Sequence, residues 1–129
     1  MALNAIKKGK KGERECAKWL AGLLNLKYVP ERNLEQVRHG GHDLQVEDFI
    51  FEVKRCQTLH FRKWWVQICI AVNNMKGGLG YEPIVIYRQN NNPWRILISA
   101  RYIGLEYGYV ALGTVESKQW LIKRYTLMI

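Results

Sequence analysis

The sequence predicts a mixed α/β domain in which helices pack on a central sheet. Two amphipathic stretches, residues 12–26 and 61–75, repeat apolar residues at helical spacing. Short apolar runs bounded by turn residues lie between and after them, as strands do. The 129 residues, 48% of them hydrophobic, suffice for one core and are few for two. We therefore expect a single domain over residues 1–129.

The first helix is expected to begin at Gly12, after a basic run. We interpret residues 1–11 as a mobile basic arm, whose lysines are Lys7, Lys8, Lys10 and Lys11. Glu13 lies on the apolar stripe of the helix, in its first turn. Glu15 is rotated by about 200° from that position and is expected to be solvated. The fragment KYVPER, residues 27–32, then predicts a short strand ended by Pro30.

The segment GGHDLQVEDFIFEVKR, residues 40–55, predicts a hairpin. With Glu47 and Asp48 in the turn, Asp43 falls opposite Glu52. One face then carries only core residues, which are Leu44, Val46, Phe49, Phe51 and Val53. The other face carries Asp43, Gln45, Ile50, Glu52 and Lys54. Two carboxylates opposite each other repel, so we expect a cation between them.

A hard divalent cation suits this pair, because Mg²⁺ prefers oxygen ligands and bridges to phosphate. Water activated by such an ion and oriented by Lys54 can attack phosphorus. An ordinary charged strand face is the alternative explanation. The broad apolar stripe of the second helix favours the site, because it predicts a helix that covers a sheet face. Gln67, a lone polar residue in that helix, is either buried beside the site or bonded to backbone at the helix edge.

The last third of the chain predicts further strands. WRILIS, residues 94–99, follows the turn QNNNP, and ARYIGLEYGY predicts a short helix. WLIKRYTLM, residues 120–128, is interpreted as an end strand. Residues 94–129 are therefore expected to extend the sheet or to form a dimer surface.

Charge and cysteine content narrow the class of partner. Twenty Lys and Arg against eleven Asp and Glu give a net charge of +9, which favours nucleic acid. The three cysteines lack CxxC spacing, so neither a disulfide framework nor a zinc site is expected. The sequence contains neither an apolar leader nor a membrane-length apolar run. We expect a soluble, cytoplasmic protein that does not associate with membranes.

The ordered set of Glu13, Asp43, Glu52-Val53-Lys54 and Gln67 resembles the PD-(D/E)xK nuclease superfamily. The fragments GKKGERE, GGHD and EVK are most similar to archaeal-type and phage Holliday junction resolvases. The resemblance covers about residues 9–90. His42 stands where the family pattern has a proline before the aspartate.

The resemblance implies a restriction-endonuclease-like αβββαβ core and a Mg²⁺-dependent DNA endonuclease, with Mn²⁺ as a substitute. It makes Asp43, Glu52 and the Val53 carbonyl metal ligands, with Glu13 near the metal. Lys54 would orient the water, and Gln67 would belong to the catalytic set. The protein would act in DNA recombination and repair in a prokaryotic cell or a phage-infected host.

Basic residues around this site are candidates for DNA phosphate contacts, with solvated surface charge as the alternative. Besides the four lysines of the arm, the candidates are Arg38, His39, His42, Arg55, Arg62 and Lys63. Branched DNA, above all the four-way junction, is the expected substrate. A nuclease for flaps, ends or single strands and a non-catalytic basic binding module are the alternatives. Cutting two strands of a junction symmetrically predicts a homodimer.

Overall fold

The computed structural model describes residues 2–32, 43–75, 77 and 80–129, with residues 2–9 described only as backbone. Its helices are α1 (Ala2–Leu23), α2 (Phe61–Asn73) and α3 (Thr114–Met128). Its strands are β1 (Leu44–Val46), β2 (Phe49–Cys56), β3 (Glu82–Gln89), β4 (Arg95–Ser99) and β5 (Tyr109–Ala111). A short 3₁₀-helix, Ala100–Ile103, lies between β4 and β5. The predicted mixed α/β class is confirmed.

The strands form one sheet in the order β1-β2-β3-β4-β5. β2 and β3 are parallel, and the other neighbouring pairs are antiparallel. A parallel pair needs a crossover connection, and α2 supplies it between β2 and β3. β2 therefore lies between the hairpin partner β1 and the parallel strand β3.

Helices cover both faces of the sheet. α1 and α3 pack on one face, where Cys16, Leu20 and Leu121 join the strand residues Phe51 and Ile86 in one cluster. α2 packs on the other face through five buried residues, which are Trp64, Trp65, Ile68, Ala71 and Val72. The prediction that both tryptophans belong to the core is confirmed, since 5% and 9% of their surfaces are exposed. The predicted core face of the hairpin is also confirmed, because Leu44, Val46, Phe49, Phe51 and Val53 all belong to the first cluster.

Several predicted boundaries were wrong. α1 begins at Ala2 and ends at Leu23, so residues that we expected to form an arm are helical. KYVPER is irregular, with Tyr28 and Val29 about half exposed, because no neighbouring strand pairs with it among the described residues. WLIKRYTLM lies within α3 and is not a strand, since its inward residues Trp120, Leu121, Tyr125 and Met128 recur at helical spacing.

The described helices include none with both the length and the apolar character needed to cross a membrane.

Candidate active site

The β1–β2 hairpin places Asp43 beside Glu52. Leu44 lies opposite Phe51 and Val46 opposite Phe49, and Glu47 and Asp48 form the turn, as predicted. The backbone N–H of Asp43 donates to the Phe51 carbonyl at 2.9 Å, which continues the ladder to the residue before β1. The Asp43 side chain is 5% exposed. One of its oxygens, Oδ2, accepts a hydrogen bond from the backbone N–H of Val53 at 2.7 Å.

Glu52 and Lys54 follow on β2, and strand alternation puts both side chains on one face. The Lys54 Nζ lies 3.1 Å from Oε1 of Glu52. Only 13% of the glutamate side chain and 27% of the lysine side chain are exposed. The pair is therefore a partly buried ion pair that directs an ammonium group at the carboxylates.

A third carboxylate comes from α1. Glu13 is 8% exposed and forms an ion pair with Arg32, which lies in the irregular segment after the helix. Arg32 is the site residue that the sequence did not reveal, because it follows Pro30 and Glu31 in a stretch with no periodic pattern.

The three carboxylates act on one another through a poorly solvated interior. Burial raises the pKa of Asp43 to about 8, and the charges of Glu52 and Glu13 add to the rise, whereas the Val53 N–H and Lys54 oppose it. Burial also raises the pKa of Glu52, which Lys54 lowers and Glu13 raises. The neighbouring Cys16 thiol is fully buried, and burial, with Asp43 and Glu13 nearby, raises its pKa well above the usual value. Three acidic groups are thus brought near one another in a basic protein.

The donor set fits a hard divalent cation in its chemistry, since it consists of carboxylate oxygens that repel one another. The carboxylate oxygens do not converge on one position where an ion could bind. Among the described residues no three carboxylate, histidine or cysteine side chains are arranged to hold one ion. Glu13 faces Arg32 and Glu52 faces Lys54, so each carboxylate already has a cationic neighbour. Binding of Mg²⁺ here would require these side chains to turn toward the ion.

No protein-family model and no curated protein matches the chain. Among solved structures, the chain is similar to Archaeoglobus fulgidus Hjc, a Holliday junction resolvase from an archaeal hyperthermophile. The match covers 87% of this chain and 96% of that chain, with a TM-score of 0.53 and 17% sequence identity. This chain has the resolvase fold. The predicted likeness to Holliday junction resolvases is thereby confirmed for the fold, and function must be argued from the site itself.

On this resolvase fold, Gln67 does not lie beside the three carboxylates. It is exposed on the outer side of α2, in a surface depression formed with His60, Phe61, Arg62, Lys63 and Val66. Of the two alternatives for Gln67, burial beside the site is excluded, because Trp64 and Ile68 are among the residues of α2 that face the sheet. The three carboxylates do not line this depression.

The basic residues predicted to contact DNA differ in their exposure, and some of them lie outside the described part of the chain. Lys10 and Lys11 are exposed on α1, and Arg62 and Lys63 are exposed in the first turn of α2. The side chains of Lys7 and Lys8 are not described, and Arg38, His39 and His42 lie outside the described residues. Arg55, at the end of β2, is largely buried in an ion-pair network.

The expectation that Glu15 is solvated was wrong. Its carboxylate lies 3.3 Å from Nη1 of Arg55 and 3.6 Å from Nη1 of Arg88, and its side chain is 31% exposed. The helical rotation that separates Glu15 from Glu13 turns it toward β3, which carries Arg88. The parallel pairing of Arg55 with Arg88 would have revealed this contact, but that register depends on a crossover that the sequence does not specify.

Proposed function

We propose that this protein is a metal-dependent endonuclease that hydrolyses phosphodiester bonds in branched DNA, with the four-way junction as its substrate. The observation that supports this most is the arrangement of Asp43, Glu52, Glu13 and Lys54 around one hairpin. Two of these carboxyls have raised pKa values, and such groups concentrate at catalytic sites. The similarity in fold to a solved Holliday junction resolvase agrees with the proposal.

The buried carboxylates favour an enzyme over a simple binding module. A net charge of +9 attracts DNA, whereas three carboxylates near a phosphate repel it. A protein that only bound DNA would be weakened by such a cluster. A cation between the carboxylates and the phosphate would remove the repulsion, and metal-assisted phosphodiester hydrolysis uses that arrangement.

Each residue of the candidate site has a distinct role in the proposed mechanism. Asp43 and Glu52 would hold Mg²⁺ with the Val53 carbonyl, and Mn²⁺ would substitute. When bound, the ion supplies a nucleophile from water at neutral pH and offsets the charge that develops on the phosphate. The 2.7 Å hydrogen bond from Val53 fixes one Asp43 oxygen and leaves the other for ligation. Lys54 would orient the attacking water, because its ammonium group is already held 3.1 Å from Glu52.

A junction has two strands to cut, so we propose a homodimer with two sites related by a two-fold axis. The aromatic candidates for the dimer interface are Tyr102, Tyr107, Tyr109 and Trp120, of which Tyr107 is 84% exposed. Core packing accounts for the other three, since Tyr102 and Trp120 form an edge-to-face pair and Tyr109 packs against Trp65. Sedimentation of the protein with and without junction DNA tests the dimer. A monomer under both conditions would favour a nuclease for flaps or ends.

The decisive experiment compares cleavage of four substrates in Mg²⁺ and in Mn²⁺: a four-way junction, a flap, a single strand and a plain duplex. The Asp43→Asn variant should lose nearly all cleavage and keep its DNA affinity, because ligation is lost and no positive charge that attracts phosphate is removed. Asp48→Asn is the matched control. Asp48 is exposed in the turn of the same hairpin, so this variant should cleave like the wild type.

Preferential cleavage of the junction supports the proposal in full. If the protein cleaves only flaps, ends or single strands, it is still a nuclease, but the four-way junction is not its substrate. Binding without cleavage in either metal would show a non-catalytic binding module. Wild-type cleavage by Asp43→Asn would mean that the active site lies elsewhere.

A further inference from the structure

A basic cluster lies on the other flank of α1 from the three carboxylates. We define it as Lys11, Arg55 and Arg88 around Glu15. The Arg55 Nη1 is 3.3 Å and the Lys11 Nζ is 4.0 Å from Oε1 of Glu15. The Arg88 Nη1 is 3.6 Å from Oε2 of the same carboxylate.

The backbone holds the two arginines side by side. Arg55, the second-last residue of β2, lies opposite Arg88 in the parallel β2–β3 pair, and both side chains lie on the α1 face of the sheet. α1 crosses close above them at Gly12, where an added Cβ would lie 3.3 Å from the Cβ of Arg55. The absence of a side chain at this position lets the helix carry Glu15 down to the arginines.

Other contacts fix the orientation of Arg88. Its Nε donates to the Asn90 carbonyl at 2.9 Å, and its guanidinium lies 5.5 Å from the centre of the Trp94 ring. Trp94 is only 4% exposed, so it forms a rigid wall. A guanidinium that is held in this way loses little conformational entropy when it binds an anion.

The basic cluster carries more positive charge than Glu15 can neutralise. Its three cations face a single carboxylate, so its formal charge is +2. Among the described residues, the Nε of Arg55 and the Oε2 of Glu15 are buried and have no hydrogen-bond partner. The side chains of Arg55 and Arg88 are 20% and 22% exposed, so part of each side chain is accessible to a ligand. A guanidinium has five N–H donors, and phosphate oxygens match their geometry.

We infer that Arg55 and Arg88 form a binding site for a DNA backbone phosphate and that Glu15 acts as its positioning residue. The inference rests on the proposed function and adds a second contact to it. Arg55 directly follows Lys54 in β2, and Glu15 lies in the same turn of α1 as Glu13, so the basic cluster and the three carboxylates are close enough for one DNA molecule to reach both. The basic cluster thus fixes the register of the DNA and takes no part in hydrolysis.

The test compares two arginine variants in the non-cleaving Asp43→Asn background. Arg88→Gln removes one of the two guanidinium groups of the proposed phosphate site. Arg95→Gln makes the same change of charge on β4, where the Tyr87–Arg95 pairing puts Arg95 on the α2 face. Affinity for a fluorescent four-way junction is measured by anisotropy over a range of salt concentrations.

Arg88→Gln should lower the affinity about tenfold or more and reduce the slope of log K against log salt by about 0.9, as expected for one lost phosphate contact. Arg95→Gln should leave the slope unchanged. Equal effects of the two variants would overturn the inference. If Arg88→Gln does not fold, Arg88→Lys replaces it. That variant keeps the positive charge but loses the paired N–H donors of the guanidinium. It should therefore weaken binding while the slope stays nearly unchanged. Wild-type affinity would overturn the inference.

Failure of this site and failure of the proposed function give different results. If Arg88→Gln binds like Arg95→Gln while the protein with native Asp43 still cleaves junctions, the phosphate site alone is wrong. If the protein with native Asp43 cleaves no DNA and Arg88→Gln still binds less DNA with a lower slope, the nuclease proposal is wrong and the phosphate site stands.

Discussion

Asp43 and Val53 are joined across the β1–β2 hairpin by a 2.7 Å hydrogen bond from the Val53 N–H to the Asp43 carboxylate. The bond holds a nearly buried acid beside two other carboxylates, in a protein that otherwise has an excess of positive charge. Placing the Asp43 carboxyl beside two other acidic groups lowers the stability of the fold, as residues of functional sites commonly do.

The metal-free protein should lose stability as the pH rises. The pKa of Asp43 is raised from 3.8 to about 8 in the folded state. The folded protein therefore retains a proton that the unfolded chain releases above about pH 4, and the free energy of unfolding falls between about pH 4 and pH 8. Chemical denaturation in a chelator at pH 5 and pH 8 measures the difference. Asp43→Asn should flatten the profile and be more stable than wild type at pH 8, by about 1 kcal/mol or more. A wild-type profile in that variant would refute the assignment.

Lys54→Ala should abolish or greatly slow cleavage and leave DNA binding largely intact. The ammonium group lies at the carboxylates and not on the outer surface, so its loss affects the orientation of the water more than the attraction of DNA. Single-turnover cleavage at saturating protein separates these effects. Lys63→Ala, which removes an exposed lysine from α2, is the control and should cleave at the wild-type rate once bound. Equal rates for both variants would exclude Lys54 from the chemistry.

The hairpin was predictable because two constraints agree in it. Strand alternation fixes which residues share a face, and the Glu47–Asp48 turn fixes the register, so the positions of Asp43 and Glu52 followed from the sequence. The position of Glu13 followed from the apolar stripe of α1. These local patterns predicted the Asp43–Glu52 pair and the face of α1 that carries Glu13, whereas the meeting of Glu13 with that pair was implied only by the resemblance to the nuclease superfamily.

Gln67 was not predictable for a physical reason. α2 has apolar residues outside its buried stripe, with Val66 49% and Ile70 54% exposed, so the sequence does not define which side faces the sheet. The ion pairs of Arg32 with Glu13 and of Arg88 with Glu15 depend on tertiary contacts between distant segments. No periodic pattern encodes such contacts.

Neutralising Lys7, Lys8, Lys10 and Lys11 together should weaken DNA binding and flatten its salt dependence. Each phosphate contact that is lost should reduce the slope by about 0.9. Although this segment is helical and not an arm, Lys10 and Lys11 are exposed, so the electrostatic argument is unchanged. The cleavage rate at saturation should stay at the wild-type value. A lower saturated rate would place these lysines in the chemistry.

Glu15→Gln should destabilise the protein, contrary to what a solvated glutamate would do. It leaves Arg55 and Arg88 largely buried next to each other without the carboxylate between them. We expect a loss of about 1–2 kcal/mol, between the values for exposed and buried ion pairs. Urea denaturation measures it, with Glu31→Gln as a control at an exposed glutamate. Equal stability of the two variants would show that Glu15 does not hold the arginines.

Arg32→Gln should destabilise the metal-free protein and strengthen its response to Mg²⁺. Arg32 and Glu13 form an ion pair whose side chains are 19% and 10% exposed, and removing one partner of a buried pair typically costs about 3 kcal/mol. The same change deprives three neighbouring carboxylates of one cation, so a divalent ion should bind more tightly and raise the Tm further than it does in the wild type. Thermal unfolding with and without Mg²⁺ measures both effects. Arg14→Gln, at an exposed position on the same helix, should change neither. If Mg²⁺ raised the Tm of Arg32→Gln no more than that of the wild type, Arg32 would be a purely structural partner of Glu13, and competition between guanidinium and metal at this site would be excluded.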